Sequence, residues 1–205
     1  MREATGGAAC CIHKQGSRTT DQIRHADMTE THPSPALEVP ATPGPGIAHD
    51  TFTITRSFDL DRAEVFAGFA DDRRRRRWVR MPGSGATYDH DFRVGGGEDA
   101  RSTFSLPGVP AETVRNRSRY LDIVPDRRIV SVYEAIVDGM TRWVSLVTVT
   151  LEDAPEGGTT LTWTEQATFL VRTGDGSADL PHLRTGTALR LNGLPAALDV
   201  EPPTA

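Results

Sequence analysis

The stretch Thr159–Val171, TTLTWTEQATFLV, alternates with the period of a β-strand. Side chains two residues apart on a strand share a face, which puts Leu161, Trp163, Glu165, Ala167 and Phe169 together. Four of these five are apolar, so their face turns toward an interior and takes Glu165 with it. An ionised carboxylate there is costly unless paired, so Glu165 must meet an arginine or lose its charge. Two readings follow. Glu165 is a polar anchor or general acid/base on a cavity wall, or it is a structural, salt-bridged carboxylate at the cavity mouth.

The preceding strand, Arg142–Leu151, repeats the pattern: Trp143, Ser145, Val147, Val149 and Leu151 form the equivalent face. Trp143, Trp163 and Phe169 are therefore candidates for one lining, either stacking an aromatic ligand or filling a core. Further upstream, strands are expected at Thr51–Phe58, Tyr88–Val94, Glu98–Leu106, Thr113–Val124 and Arg128–Val137. Gly95–Gly97, Pro107–Pro110, Pro125 and Asp138-Gly139 separate them, the last being the strongest hairpin signal. That makes seven strands, most joined by short loops, hence an antiparallel meander. Tyr120 and Tyr133 carry hydroxyls that need partners if buried and could bond a ligand. Parity groups Tyr120 with Asp122, opposite Leu121 and Ile123.

Helices complete the pattern. Asp59 can cap a helix over 61–70 with Val65, Phe66 and Phe69 as its stripe, and a second short helix carries Arg73–Arg77 up to Trp78. Trp78 plugs the end of the fold beneath these helices, or touches ligand. Met81–Ala86 reads as a loop. Leu180–Leu198 reads as the final helix, with a kink or early end near 193–195 imposed by Gly193 and Pro195. The class is α+β: a seven-stranded curved antiparallel sheet around a C-terminal helix, with two short helices after the first strand.

Composition narrows the function. The 205 residues are 37% apolar and 25% charged with a net charge of −5, which argues against a nucleic-acid partner. No stretch has the apolar length of a membrane span. Residues 1–47 are poor in large aliphatics and rich in proline, and are expected to be a disordered extension. Both cysteines, Cys10 and Cys11, lie there, which fits a reducing cytoplasm, and Met28 is an alternative translation start. The domain is expected at 48–200 and a tail at 201–205. Arg73–Arg77 reads as a solvated helix face balanced by Asp71 and Asp72. His90 has Asp89 and Asp91 beside it, but alternation sends those acids to the opposite face, so no metal is expected. No cofactor is implied, and Gly-x-Ser-x-Gly is missing.

Several stretches in order resemble one superfamily: FTITRSFDLDRAEVFAGFAD (52–71) with Trp78, DFRVGGGE (91–98), YLDIVPDRRIV (120–130), SLVTVTLE (145–152), GGTTLTWTEQATFL (157–170) and RTGTALRL (184–191). The chain is similar to the START-like, helix-grip (SRPBCC) proteins. Within them it resembles the branch like the C-terminal domain of the heat-shock protein 90 ATPase activator. The resemblance implies a seven-stranded sheet gripping a long C-terminal helix, with an apolar cavity between them. Pro195 and the arginine run depart from that pattern. Members include lipid and polyketide binders, aromatase/cyclases and co-chaperone domains. The first expectation is therefore a hydrophobic or amphipathic small-molecule ligand held by Trp143, Trp163, Glu165, Phe169, Tyr120, Tyr133 and Trp78. The second is a polyketide cyclase-like enzyme using Glu165 as acid/base. The third is a chaperone partner. Residues 1–47 are too short and polar to replace the co-chaperone's folded N-terminal domain, so no stimulation of the chaperone's ATPase is expected.

Overall fold

The structure, a computed structural model, describes residues 46–108 and 110–198. Cys10, Cys11, Met28, the tail at 201–205 and all but the last two residues of the expected extension lie outside them. Seven strands form one antiparallel sheet: β1 (Ala48–Phe58), β2 (Ser84–His90), β3 (Glu98–Phe104), β4 (Glu112–Val124), β5 (Arg128–Val137), β6 (Met140–Asp153) and β7 (Thr159–Phe169). Their order is β1-β7-β6-β5-β4-β3-β2, a meander whose first strand returns to pair with its last. Helices α1 (Arg62–Ala70) and α2 (Asp72–Trp78) follow β1, and α3 (Asp179–Leu191) and α4 (Leu194–Leu198) follow β7.

Burial follows sequence parity. Phe52, Ile54 and Phe58 of β1, Leu161, Trp163, Ala167 and Phe169 of β7, and Val147, Val149 and Leu151 of β6 form one core with Val65, Phe66 and Phe69 of α1. The Asp138-Gly139 turn has positive φ at both residues, 49° and 78°, as a two-residue hairpin of the type I′ kind requires. Thr159, fully buried, donates to the Leu60 carbonyl at 2.7 Å and ties β7 to the entry of α1.

Local expectations shift in four places. The cap of α1 is Asp61, which accepts from the Glu64 amide at 2.8 Å, rather than Asp59. The strand expected at Tyr88–Val94 runs over Ser84–His90, taking in residues expected to be loop. Gly83 permits this: with φ of 92°, a Cβ there would lie 2.1 Å from the Thr103 carbonyl oxygen. A β-bulge between Tyr120 and Asp122 overrides simple parity in β4. Ile123 thereby pairs with Ile129 and packs on the core, while Leu121 is 43% exposed. Finally, Arg73–Arg77 is not wholly a solvated face. Asp71 caps α2 and Asp72 pairs with Arg76 at 2.7 Å, but Arg75 is buried.

The C-terminal break falls where expected. α3 ends at Leu191, Asn192 and Gly193 turn, and Pro195 occupies the first turn of α4, where its missing N–H has no helical partner to lose. α4 packs on α1 and α2, with Leu194 and Leu198 against Gly68.

Candidate functional site

β7 presents its alternating face to the helices, and Glu165 on that face is completely buried. Its Oε1 accepts the Tyr133 hydroxyl at 2.6 Å. Its Oε2 accepts the Trp163 indole N–H at 3.0 Å and the Thr187 hydroxyl, from α3, at 3.4 Å. Register explains the meeting. Phe52 and Val147 flank Glu165 across β1 and β6, and Ser145 lies directly between Tyr133 on β5 and Ala167 on β7. Tyr133 also accepts the Trp143 indole N–H at 3.0 Å, so a chain of hydrogen bonds runs from Trp143 through Tyr133 to Glu165.

No arginine reaches this carboxylate; every partner it has is uncharged. It is neither at a mouth nor salt-bridged, as the structural alternative had it, but fully buried among neutral hydrogen-bond donors. Burial and the neighbouring Glu165 push the Tyr133 phenol well above its ordinary pKa. It is therefore a hydrogen-bond donor at neutral pH and not a phenolate. Ser145 is buried too, yet its Oγ has no hydrogen-bond partner. An unmade hydrogen bond in such a place costs about 1–3 kcal/mol, and the polar side chain opposite it in the register is Tyr133.

The concave face is unevenly covered. On β1 and β7 its apolar side chains are buried, beneath α3 residues Leu183, Thr187 and Leu191. On β4, β5 and β6 the same face carries Asn116, Ser118, Ser131, Tyr133 and Trp143, all only half-buried. Trp143 lies 6.4 Å from the Phe169 ring, centre to centre, and with Tyr133 forms the accessible lip of the Glu165 network. Of the residues expected in one lining, Trp143, Trp163, Glu165, Phe169 and Tyr133 come together.

Tyr120 and Trp78 do not join them. Trp78 is buried at the α1–α2 end, where its indole donates to the Gly68 carbonyl at 2.8 Å. Tyr120 belongs to a second buried cluster. There Arg75 grips Glu98 through two hydrogen bonds, of 2.6 and 3.0 Å, and stacks over Trp78 at 4.3 Å. The Tyr88 hydroxyl also donates to Glu98, and the His90 ring lies 3.2 Å from the Tyr120 hydroxyl and 3.4 Å from Asp72. Burial alone would raise the Glu98 pKa, but Arg75, Tyr88 and His90 hold it down at about 2. Sequence reasoning missed this cluster, along with Ser145 and Thr187 as polar contributors. The available signal was the parity of Glu98 with Ala100 and Ser102 on β3.

Two clefts border this region. One of about 880 Å³ is lined by Gly95–Gly97 and by residues such as Asp91, Ser118 and Tyr133, and one of about 400 Å³ by residues such as Asp50, Ser145 and Gln166. Neither is lined by Trp143, Trp163, Glu165 or Phe169. Among the described residues no group of three or more His, Cys, Asp or Glu side chains is placed to hold a metal ion. No helix among them is long and apolar enough to cross a membrane.

Residues 59–198 match the protein family described as Activator of Hsp90 ATPase homolog 1-like protein. Among solved structures, the chain is similar to the Mll3558 protein from Rhizobium loti, at 40% identity and a TM-score of 0.62, covering 74% of this chain and 99% of that one. It is also similar to a putative uncharacterized protein from Rhizobium leguminosarum, at 31% identity and a TM-score of 0.64, covering 76% and 98% of the two chains. DynU16, a putative protein in the dynemicin biosynthetic locus, shares the fold at 17% identity and a TM-score of 0.52, covering 74% of this chain and 48% of that one. No curated protein matches the chain.

Proposed function

The chain belongs to the family of activator of Hsp90 ATPase homolog 1-like proteins, of the SRPBCC fold, and from that premise we propose that it binds a small amphipathic molecule on its concave face. The ligand enters over the half-buried lip of Tyr133 and Trp143, stacks on the indole and bonds the free Ser145 hydroxyl. Glu165 anchors the network from behind. The observation that carries this reading is the completely buried carboxylate held by uncharged donors, beside a buried hydroxyl with no partner. A protein built only for stability has little use for either. Replacing buried ionic groups by apolar ones is often neutral or stabilising.

A thermal-shift screen of lipids, polyketides and flavonoid-like compounds tests the proposal. A true ligand at 100 times its dissociation constant adds about 2.7 kcal/mol and raises the melting temperature. Flat melting temperatures across the panel would count against it. The 2.6 Å pair of Tyr133 and Glu165 favours a second reading, proton transfer on a bound polyketide-like substrate. Under that reading Glu165→Gln keeps affinity and abolishes turnover, whereas persistent turnover removes Glu165 as the catalyst.

A further inference from the structure

Every ion pair found among the described residues leaves Glu165 out. Its partners are the Tyr133 and Thr187 hydroxyls and the Trp163 indole, all of them neutral. Nor can a lysine swing in, because residues 46–198 contain none. The side chains gathered round the carboxylate are aromatic. Trp163 and Tyr133 bond it directly, Trp143 reaches it through Tyr133, and Phe169 packs against Trp143. Aromatic faces are negative and attract cations, most strongly where water is excluded. The unpartnered Ser145 oxygen, beside Tyr133 in the register, is an acceptor waiting for an N–H.

A buried carboxylate with no protein cation, electron-rich walls and a spare hydroxyl together complement a positively charged organic group. We propose that the ligand of this site is an amphipathic molecule carrying a protonated amine. Its ammonium lies against Tyr133 and Trp143, on the side of the Glu165 carboxylate, and donates to Ser145, while its apolar body stacks on the accessible part of the Trp143 ring. This inference rests on the concave face being a binding site, and names the chemistry that the site selects.

Three probes sharing one apolar body separate the two claims: 2-(2-naphthyl)ethylamine, 2-(2-naphthyl)ethanol and 2-naphthylacetate. Each is titrated into the full chain at neutral pH in a calorimeter. The ammonium form is expected to bind about tenfold more tightly than the alcohol, with the acetate weakest. In Glu165→Gln that advantage, read as the ratio of amine to alcohol affinity within the variant, shrinks to about twofold, the residue of ring–cation attraction. Should Glu165→Gln fail to fold, the wild-type comparison decides alone. If the alcohol or the acetate binds as tightly as the amine, the cationic class is overturned and the binding site stands. If none of the three binds, the site itself is refuted and the inference goes with it.

Discussion

Tyr133 is the residue on which the Glu165 network turns, because its one hydroxyl accepts from Trp143 and donates to Glu165. Tyr133→Phe leaves the ring in place and deletes both bonds. The fully buried carboxylate then loses a donor, at an expected cost of about 1–3 kcal/mol in urea denaturation. Unchanged stability would mean that the two bonds are not made. The second cluster yields a pH dependence with a definite sign. His90, whose side chain is 1% exposed, faces Asp72, Tyr120, Glu98 and the Arg75 charge, and burial above all depresses its pKa below 6.5. The unfolded chain therefore binds the proton first, and stability is lost as pH falls below about 6.5. Glu98, depressed from 4.5 to about 2, adds stability that is full above about 4.5 and lost as pH falls toward 2. Stability measured against pH should thus drop in two limbs, and His90→Phe should abolish the upper one and, since His90 helps hold Glu98 down, weaken the lower one. An unaltered upper limb would place its origin elsewhere.

At the scale of elements, the connection between β2 and β3 is more constrained than its three glycines suggest. Gly97 has ordinary φ, yet a Cβ there would lie 2.0 Å from the Ser118 carbonyl oxygen, because the turn lies flat on β4. Gly95 and Gly96 exchange backbone hydrogen bonds with Tyr120 at 2.8 and 2.9 Å. Gly97→Ala must push the turn off β4, with an expected loss of about 1–3 kcal/mol, whereas an unaffected melting temperature would show that the turn is loosely held. Such long-range contacts mark what the sequence conceals. Alternation exposed the inner faces of β6 and β7, and with them Trp143, Trp163, Glu165 and Phe169, because period-two patterning is local. The bulge at Tyr120–Asp122 and the early start of β2 were not legible, since each depends on a partner strand distant in sequence. The burial of Arg75 was hidden likewise, as its partner Glu98 lies 23 residues on, across a strand and two turns. That Tyr120 and Trp78 lie away from the Glu165 network was hidden for the same reason: parity gives a face, not a place along it.

At the scale of the whole molecule, two polar clusters occupy separate regions of one concave face. One, around Arg75 and Glu98, is charge-balanced and joins α2 to the β2–β3 hairpin. The other, around Glu165, has no protein countercharge and carries an unused hydroxyl. The first is complete in itself, and the second is the one proposed to take a ligand. The chain's three tryptophans report on that difference, since Trp143 and Trp163 donate into the Glu165 network while Trp78 donates to Gly68 at the other end. Their indole N–H signals in a ¹H–¹⁵N correlation spectrum, followed while a compound that raises the melting temperature is added, test the central claim most directly. The account predicts that the Trp143 and Trp163 signals move together with ligand concentration while that of Trp78 stays fixed. A saturating ligand that moves only Trp78, or none of the three, would contradict it.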